Sequence, residues 1–118
     1  MKKFLIALIF LFSSASWGDT LISPIGFQNT DENRKKVIYF IVKNIKKTFS
    51  NLGMDDPSSL RMMEKLELTS FKELLEVKDV TLLRTVIIDV CDLDMCDYNT
   101  ILTMYNHQKK ASNSKLQW

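Results

Sequence analysis

Histidine, cysteine, glycine and proline are scarce in this 118-residue chain, which has one histidine, two cysteines, three glycines and two prolines. Because His107 is the only histidine and lies near the end of a predicted helix, the sequence offers no Ser-His-Asp or Cys-His arrangement for nucleophilic catalysis. The cysteines do not form the C-x-x-C motif of a thioredoxin-like redox enzyme. A small helical chain has little room for a deep cleft, so we expect no enzymatic activity and no cofactor.

Only one long apolar run is present, and it lies near the N-terminus. Residues 1–18 begin with the basic Met1 to Lys3, continue through the apolar Phe4 to Phe12, and end in small residues up to Gly18. This run is too short for the roughly 20 apolar residues of a membrane-spanning helix, although an uncleaved anchor is the alternative. We expect a secretory signal peptide cleaved after Gly18, or after Ala15, and a periplasmic or secreted remainder.

The two cysteines predict one disulfide at a chain reversal. Residues five apart on a helix are separated by about 7.5 Å along its axis, whereas a disulfide needs a Cα separation of about 4.4–6.8 Å. A bridge between Cys91 and Cys96 therefore requires a helix to end near Cys91. An oxidising compartment favours the bridge, and a zinc or copper site with His107 would have only three ligands in an unfamiliar spacing. We expect no bound metal.

The charge of the chain is unevenly distributed. The formal net charge is +2, and removal of Lys2 and Lys3 leaves equal numbers of acidic and basic residues, so the composition does not predict nucleic-acid binding. Residues 31–54 are mainly basic, whereas residues 55–97 are mainly acidic. The sequence thus predicts two surfaces of opposite sign rather than one dominant charge.

Apolar periodicity predicts an all-α, single-domain bundle of four to five helices spanning residues 31–110, with an extended arm at 19–30 and a flexible tail at 111–118. Expected caps are Thr30, Asp56, Asp79 and Asp97, and Ser70 with Glu73 forms a capping-box pattern. The predicted helices are Asp31 to Asn51, Pro57 to Leu66, Phe71 to Val77, Val80 to about Cys91, and Tyr98 to about Lys110.

The first predicted helix is amphipathic, although the β-branched run Val37 to Val42 is also compatible with a strand. A solvated basic face on a core helix is the preferred interpretation, and binding to an anionic membrane surface or an acidic partner is the alternative. The predicted core stripe is Ile38, Ile41, Val42, Ile45, Phe49 and Leu52. The basic face is Lys36, Lys43, Lys46 and Lys47.

Later core positions include Leu60, Met63 and Leu66. The densest polar cluster surrounds the cysteines and consists of Asp89, Asp92, Asp94 and Asp97. It lacks the glycine and the bidentate glutamate of an EF-hand, so it does not predict a calcium site of that type. A turn held by a disulfide would lose little entropy on binding. These acids are therefore the predicted partner-binding residues.

The layout resembles that of periplasmic immunity proteins of contact-dependent or type VI secretion systems, in which a leader precedes a small helical domain. It is also similar to phage antiholins of the lysis-inhibition type, where two nearby cysteines precede a C-terminal helix, as Cys91 and Cys96 precede Tyr98 to Lys110. Both resemblances imply binding without catalysis.

The sequence therefore predicts an exported, non-enzymatic module that binds another protein, such as an inhibitor or immunity-type protein. A lysis regulator, a membrane-surface protein and a metal carrier are the alternatives. The oligomeric state and the identity of the partner are open.

Overall fold

A computed structural model describes residues 21–118, and the predicted signal peptide lies outside the described residues. The described part is all-helical, without strands, which confirms the predicted fold class. It also confirms that Val37 to Val42 is helical. The four helices are α1 (Asp31–Ser50), α2 (Pro57–Leu74), α3 (Val80–Asp92) and α4 (Tyr98–Asn113).

Each helix begins at a predicted cap. The side chains of Thr30, Asp56, Asp79 and Asp97 accept hydrogen bonds from the backbone N–H groups three residues further on. Such bonds satisfy donors that have no partner inside a helix. The four caps are confirmed, and α4 runs three residues beyond the predicted end at Lys110.

The two short helices predicted for residues 57–77 are one continuous helix, α2. The capping box at Ser70 was the wrong interpretation, because an uninterrupted helix satisfies the backbone groups that a cap would serve. Ser70 is instead buried, and its hydroxyl lies 3.4 Å from Oδ1 of Asn99 in α4. No glycine or proline between residues 58 and 74 breaks the helix.

The helices pack in the spatial order α1, α2, α4, α3, so that α2 and α4 are central. The most deeply buried side chains come from all four helices, and α4 contributes Tyr98 and Ile101, neither of which has any exposed surface. The buried apolar residues are Val37, Ile41, Ile45, Leu60, Phe71, Leu74, Leu83, Val86, Val90, Tyr98, Ile101 and Tyr105.

The buried face of α1 differs from the predicted stripe. Val37 is buried, whereas Ile38 is 49% exposed, Val42 37% and Leu52 63%. The physical reason is that the backbone of α1 lies close to that of α2 but not to those of α3 and α4, so fewer side chains of α1 are covered than the pattern implies. Leu66 of α2, predicted to point inward, is 41% exposed.

Residues 21–30 lie against the bundle. The ring of Phe27 packs edge to face on Phe71 of α2, with ring centroids 5.0 Å apart. The hydroxyl of Tyr98 donates a hydrogen bond of 2.7 Å to the carbonyl of Ile22. Tyr98 also packs against Phe40 of α1 and Phe71 of α2, so its ring joins the arm, α1, α2 and α4.

Candidate functional site: a disulfide-stapled turn

The predicted site residues around the cysteines lie together where α3 reverses into α4. Cys91 in the last turn of α3 is bonded to Cys96, and their Cα atoms are 4.3 Å apart. The predicted disulfide is thereby confirmed. We call residues 92–97, which the bridge constrains, the stapled turn.

The backbone of the stapled turn ends α3 in a Schellman arrangement. The N–H of Met95 donates to the carbonyl of Val90, and the N–H of Asp94 donates to the carbonyl of Cys91. Asp94 occupies the left-handed position with φ of 61°, and it is the only residue other than glycine with positive φ in residues 21–118. Glycine normally fills this position because a Cβ is disfavoured there. Asp94 thus holds its carboxylate at the surface in a backbone conformation that is unfavourable for a residue with a Cβ.

The tip of the stapled turn is both apolar and acidic. Leu93 is 67% exposed and Met95 is 48% exposed. On the adjoining end of α3, Ile88 is 54% exposed, and the predicted acids Asp89, Asp92 and Asp94 all face solvent. Exposed leucine and methionine side chains next to exposed aspartates in the chain form a surface that can enter an apolar pocket with a basic rim.

Asp97, the fourth predicted acid, has a different role from the other three. One carboxylate oxygen accepts the N–H of Thr100 at 2.8 Å, and the other accepts its hydroxyl at 2.9 Å. Asp97 is therefore held at the start of α4 and fixes the end of the stapled turn, and its carboxylate oxygens bind Thr100 instead of facing solvent freely.

Glu67 of α2 is a site residue that sequence reasoning missed. It is only 3% exposed, and its two carboxylate oxygens accept the N–H groups of Tyr98 and Asn99, each at 2.8 Å. Together Glu67 and Asp97 satisfy the first three backbone donors of α4. The available signal was an acidic residue on the same helical face as Leu60, Phe71 and Leu74.

The environment of Glu67 opposes its ionisation. Burial, with a smaller contribution from the neighbouring Asp97, outweighs the opposing hydrogen bonds from Asn99 and Tyr98, and the pKa of Glu67 rises from 4.5 to about 7. No lysine or arginine pairs with Glu67 within residues 21–118. Burial likewise raises the pKa of the Tyr98 hydroxyl.

The start of α3 is also tied to α4. Nζ of Lys109 lies 3.0 Å from Oδ2 of Asp79, the cap of α3. The hydrogen bond that Nζ of Lys109 donates to the Asp79 carboxylate lowers the pKa of Asp79 and raises the pKa of Lys109. Both ends of α3 are therefore linked to α4, one by this ion pair and the other by the disulfide-closed turn.

The predicted basic face is separate from the stapled turn. Lys36, Lys43, Lys46 and Lys47 are exposed on α1, which does not pack on α3. Nζ of Lys43 lies 5.9 Å from the ring centre of Tyr39, and Nζ of Lys36 lies 4.0 Å from Oε1 of Glu32. The structure does not bring the acidic and basic surfaces of one chain together.

Residues 21–118 contain no group of three or more histidine, cysteine or acidic side chains placed to hold a metal ion. Both cysteines are in the disulfide, and His107 is exposed. Within the same residues, no helix has the length and apolarity required to cross a membrane.

Comparison with protein-family models, with curated proteins and with solved structures gives no match to this chain.

Proposed function

We propose that this protein is exported and acts, without catalysis, by binding a protein partner through the stapled turn. The observation that carries the proposal is that Leu93 and Met95 are exposed beside several aspartates. The backbone of this turn is held by the disulfide on one side and by hydrogen bonds to Glu67 on the other. Hot spots of protein interfaces are well-packed side chains near the centre, surrounded by groups that exclude water. Leu93 would occupy the centre, and the acids would form the rim.

The rigidity of the turn supports this role. The disulfide closes its N-terminal side, while Asp97 and Glu67 hold its C-terminal side to α4 and α2. A preorganised loop loses less entropy on association than a mobile one. The disulfide also agrees with an oxidising compartment, such as the periplasm expected from the predicted leader.

Site-specific photocrosslinking in the periplasm tests the proposal. A benzoyl-phenylalanine at Leu93 is expected to give an adduct with a partner protein, because that side chain would be buried in the complex. Leu52 is the matched control position, since it is 63% exposed against 67% for Leu93 and also lies in a turn between helices.

The charged rim is tested in the same experiment. We expect the double variant Asp89→Lys/Asp92→Lys to lose the adduct at position 93 with little change in thermal stability. Both residues are exposed near the C-terminus of α3, where lysine is favoured by the helix dipole. Equal adducts at positions 52 and 93, or an adduct that survives the charge reversal, would remove the stapled turn as the binding surface.

A further inference from the structure

An open apolar groove runs between α1 and α2. It has a volume of about 530 Å³, and its apolar lining includes Phe27, Ile38, Leu68 and Leu75. Ile38 is 49% exposed, and its neighbour one turn on, Val42, is 37% exposed. Ile38 and Val42 remain exposed because the backbone of α1 lies close to that of only one other helix, α2. The groove is therefore an apolar surface available to another molecule.

Lys72 lines this groove, and helical spacing places three further lysines on the same sides of α1 and α2 as its apolar lining. On α1, Lys35, Ile38, Val42 and Lys46 follow one another at intervals of three or four residues, so they share one side of the helix. On α2, one side of the helix likewise carries four residues spaced three or four apart: Lys65, Leu68, Lys72 and Leu75. All four lysines are exposed and form no ion pair within residues 21–118.

The lysine rim limits what can occupy the groove. Two copies of this face would bring like charges together, which disfavours a symmetric dimer through the groove. Arg34 and Glu76, which also line it, carry opposite charges and leave the excess positive. The favoured occupant is therefore apolar at its centre and acidic at its edge.

The stapled turn of the same protein has that chemistry, because exposed Leu93 and Met95 stand among Asp89, Asp92 and Asp94. We propose that the groove between α1 and α2 binds the stapled turn of a second copy of this chain, head to tail. Leu93 would contact the apolar lining, and the acids would face the lysines. This inference rests on the proposed function, since it uses the same turn and identifies the partner.

A head-to-tail contact has measurable consequences. A head-to-tail dimer retains one unused groove on one copy and one unused turn on the other, so association does not stop at a dimer unless a ring closes. Sedimentation equilibrium of the oxidised protein is expected to show an average mass that rises with protein concentration. Because the contact depends on exposed charges, added salt should reduce the association.

Complementary charge reversal provides the decisive test. The turn variant Asp89→Lys/Asp92→Lys and the groove variant Lys65→Glu/Lys72→Glu should each associate at least ~10-fold more weakly than the wild type, because like charges then meet. An equimolar mixture of the two variants should associate again, since each altered surface meets one of opposite sign. The matched control Asp55→Lys/Glu73→Lys changes two exposed acids outside both surfaces and should behave as wild type.

Circular dichroism and urea unfolding of each variant establish that its fold is retained. A wild type that stays monomeric at high micromolar concentration, or variants that do not recover association when mixed, would overturn the inference. An adduct at Leu93 with a different protein, together with a monomeric wild type, would overturn only the inference. Self-association without any adduct at Leu93 in the periplasm would overturn both the proposed function and the inference, because each places Leu93 in the contact.

Discussion

The turn between α1 and α2 and the turn between α3 and α4 have the same backbone plan. Residues 52–56 read Leu-Gly-Met-Asp-Asp, and residues 93–97 read Leu-Asp-Met-Cys-Asp. Each has an exposed leucine, a left-handed residue, a methionine that is 48% exposed, and a final aspartate that caps the next helix. We call residues 51–56 the glycine turn, because Gly53 takes the left-handed position with φ of 70°.

Three features separate the stapled turn from the glycine turn. An aspartate replaces glycine at the left-handed position, a disulfide closes the loop, and Glu67 provides a second carboxylate at the start of the next helix. A connection between two helices needs none of these, as the glycine turn demonstrates. The additions constrain the shape and increase the negative charge of one turn only, which is the pattern expected of a recognition surface.

The largest expected difference between the two turns is in the pH dependence of stability, and it comes from Glu67, the second carboxylate at the start of α4. Because the pKa of Glu67 is raised from 4.5 to about 7, the native state retains a proton that the unfolded chain releases. The stabilisation is complete below about pH 4.5 and is lost as the pH rises through about 7. We expect the free energy of unfolding to fall by on the order of 3 kcal/mol across this range.

Urea unfolding between pH 4 and pH 8 measures this slope. Glu67→Gln should abolish most of it, whereas Glu73→Gln, which alters an exposed glutamate on the same helix, should leave it unchanged. A slope that persists in Glu67→Gln would show that other groups produce it. The second carboxylate would then make no pH-dependent difference between the start of α4 and the start of α2.

A smaller effect is expected from the disulfide. Replacing both cysteines by serine should lower the free energy of unfolding by about 2 kcal/mol, as estimated from closure of a six-residue loop. Hydrogen exchange should become faster at Met95 and Asp97, while Gly53 and Met54 keep their wild-type rates. Equal acceleration in both turns would mean that the bridge stabilises the whole bundle rather than one surface.

The smallest effect comes from exchanging the left-handed residues. Asp94→Gly should raise the free energy of unfolding by about 0.5–1 kcal/mol, because glycine adopts positive φ without a steric penalty. Gly53→Asp should lower it by about 1 kcal/mol. A Cβ at position 53 would meet no atom within 4 Å, so this change reports on the backbone conformation rather than on packing. Opposite signs in urea unfolding are the expected result, and a destabilised Asp94→Gly would instead indicate a structural role for the carboxylate.

The features predicted correctly from sequence are local ones. Asp79 and Asp97 precede apolar helices by one residue, and a cap acts within three residues of itself. The disulfide was predicted from the expected oxidising compartment, and the end of α3 near Cys91 was predicted from the geometry of a five-residue spacing. Such signals do not depend on how the helices pack against one another.

The errors arose where tertiary packing decides. The sequence around Ser70 has the form of a helix start, but burial against Asn99 favours one continuous α2. The helical pattern around Glu67 could indicate that it is buried, but the backbone group that it binds is 31 residues away, so no local pattern identifies that partner. The buried face of α1 depends on which neighbours cover it, and a periodic pattern does not specify them.

The hydrogen bond between Tyr98 and Ile22 has a consequence for the order in which the protein acquires its structure. The two residues are 76 positions apart, and bringing such distant segments together carries a larger entropic cost than forming the contacts between successive helices. Residues 21–30 should therefore join the bundle after α4 has formed. In a chain exported from its N-terminus, residues 21–30 would cross the membrane early, and Tyr98, to which they bind, would cross late. Residues 21–30 would therefore remain accessible to processing enzymes until translocation was almost complete.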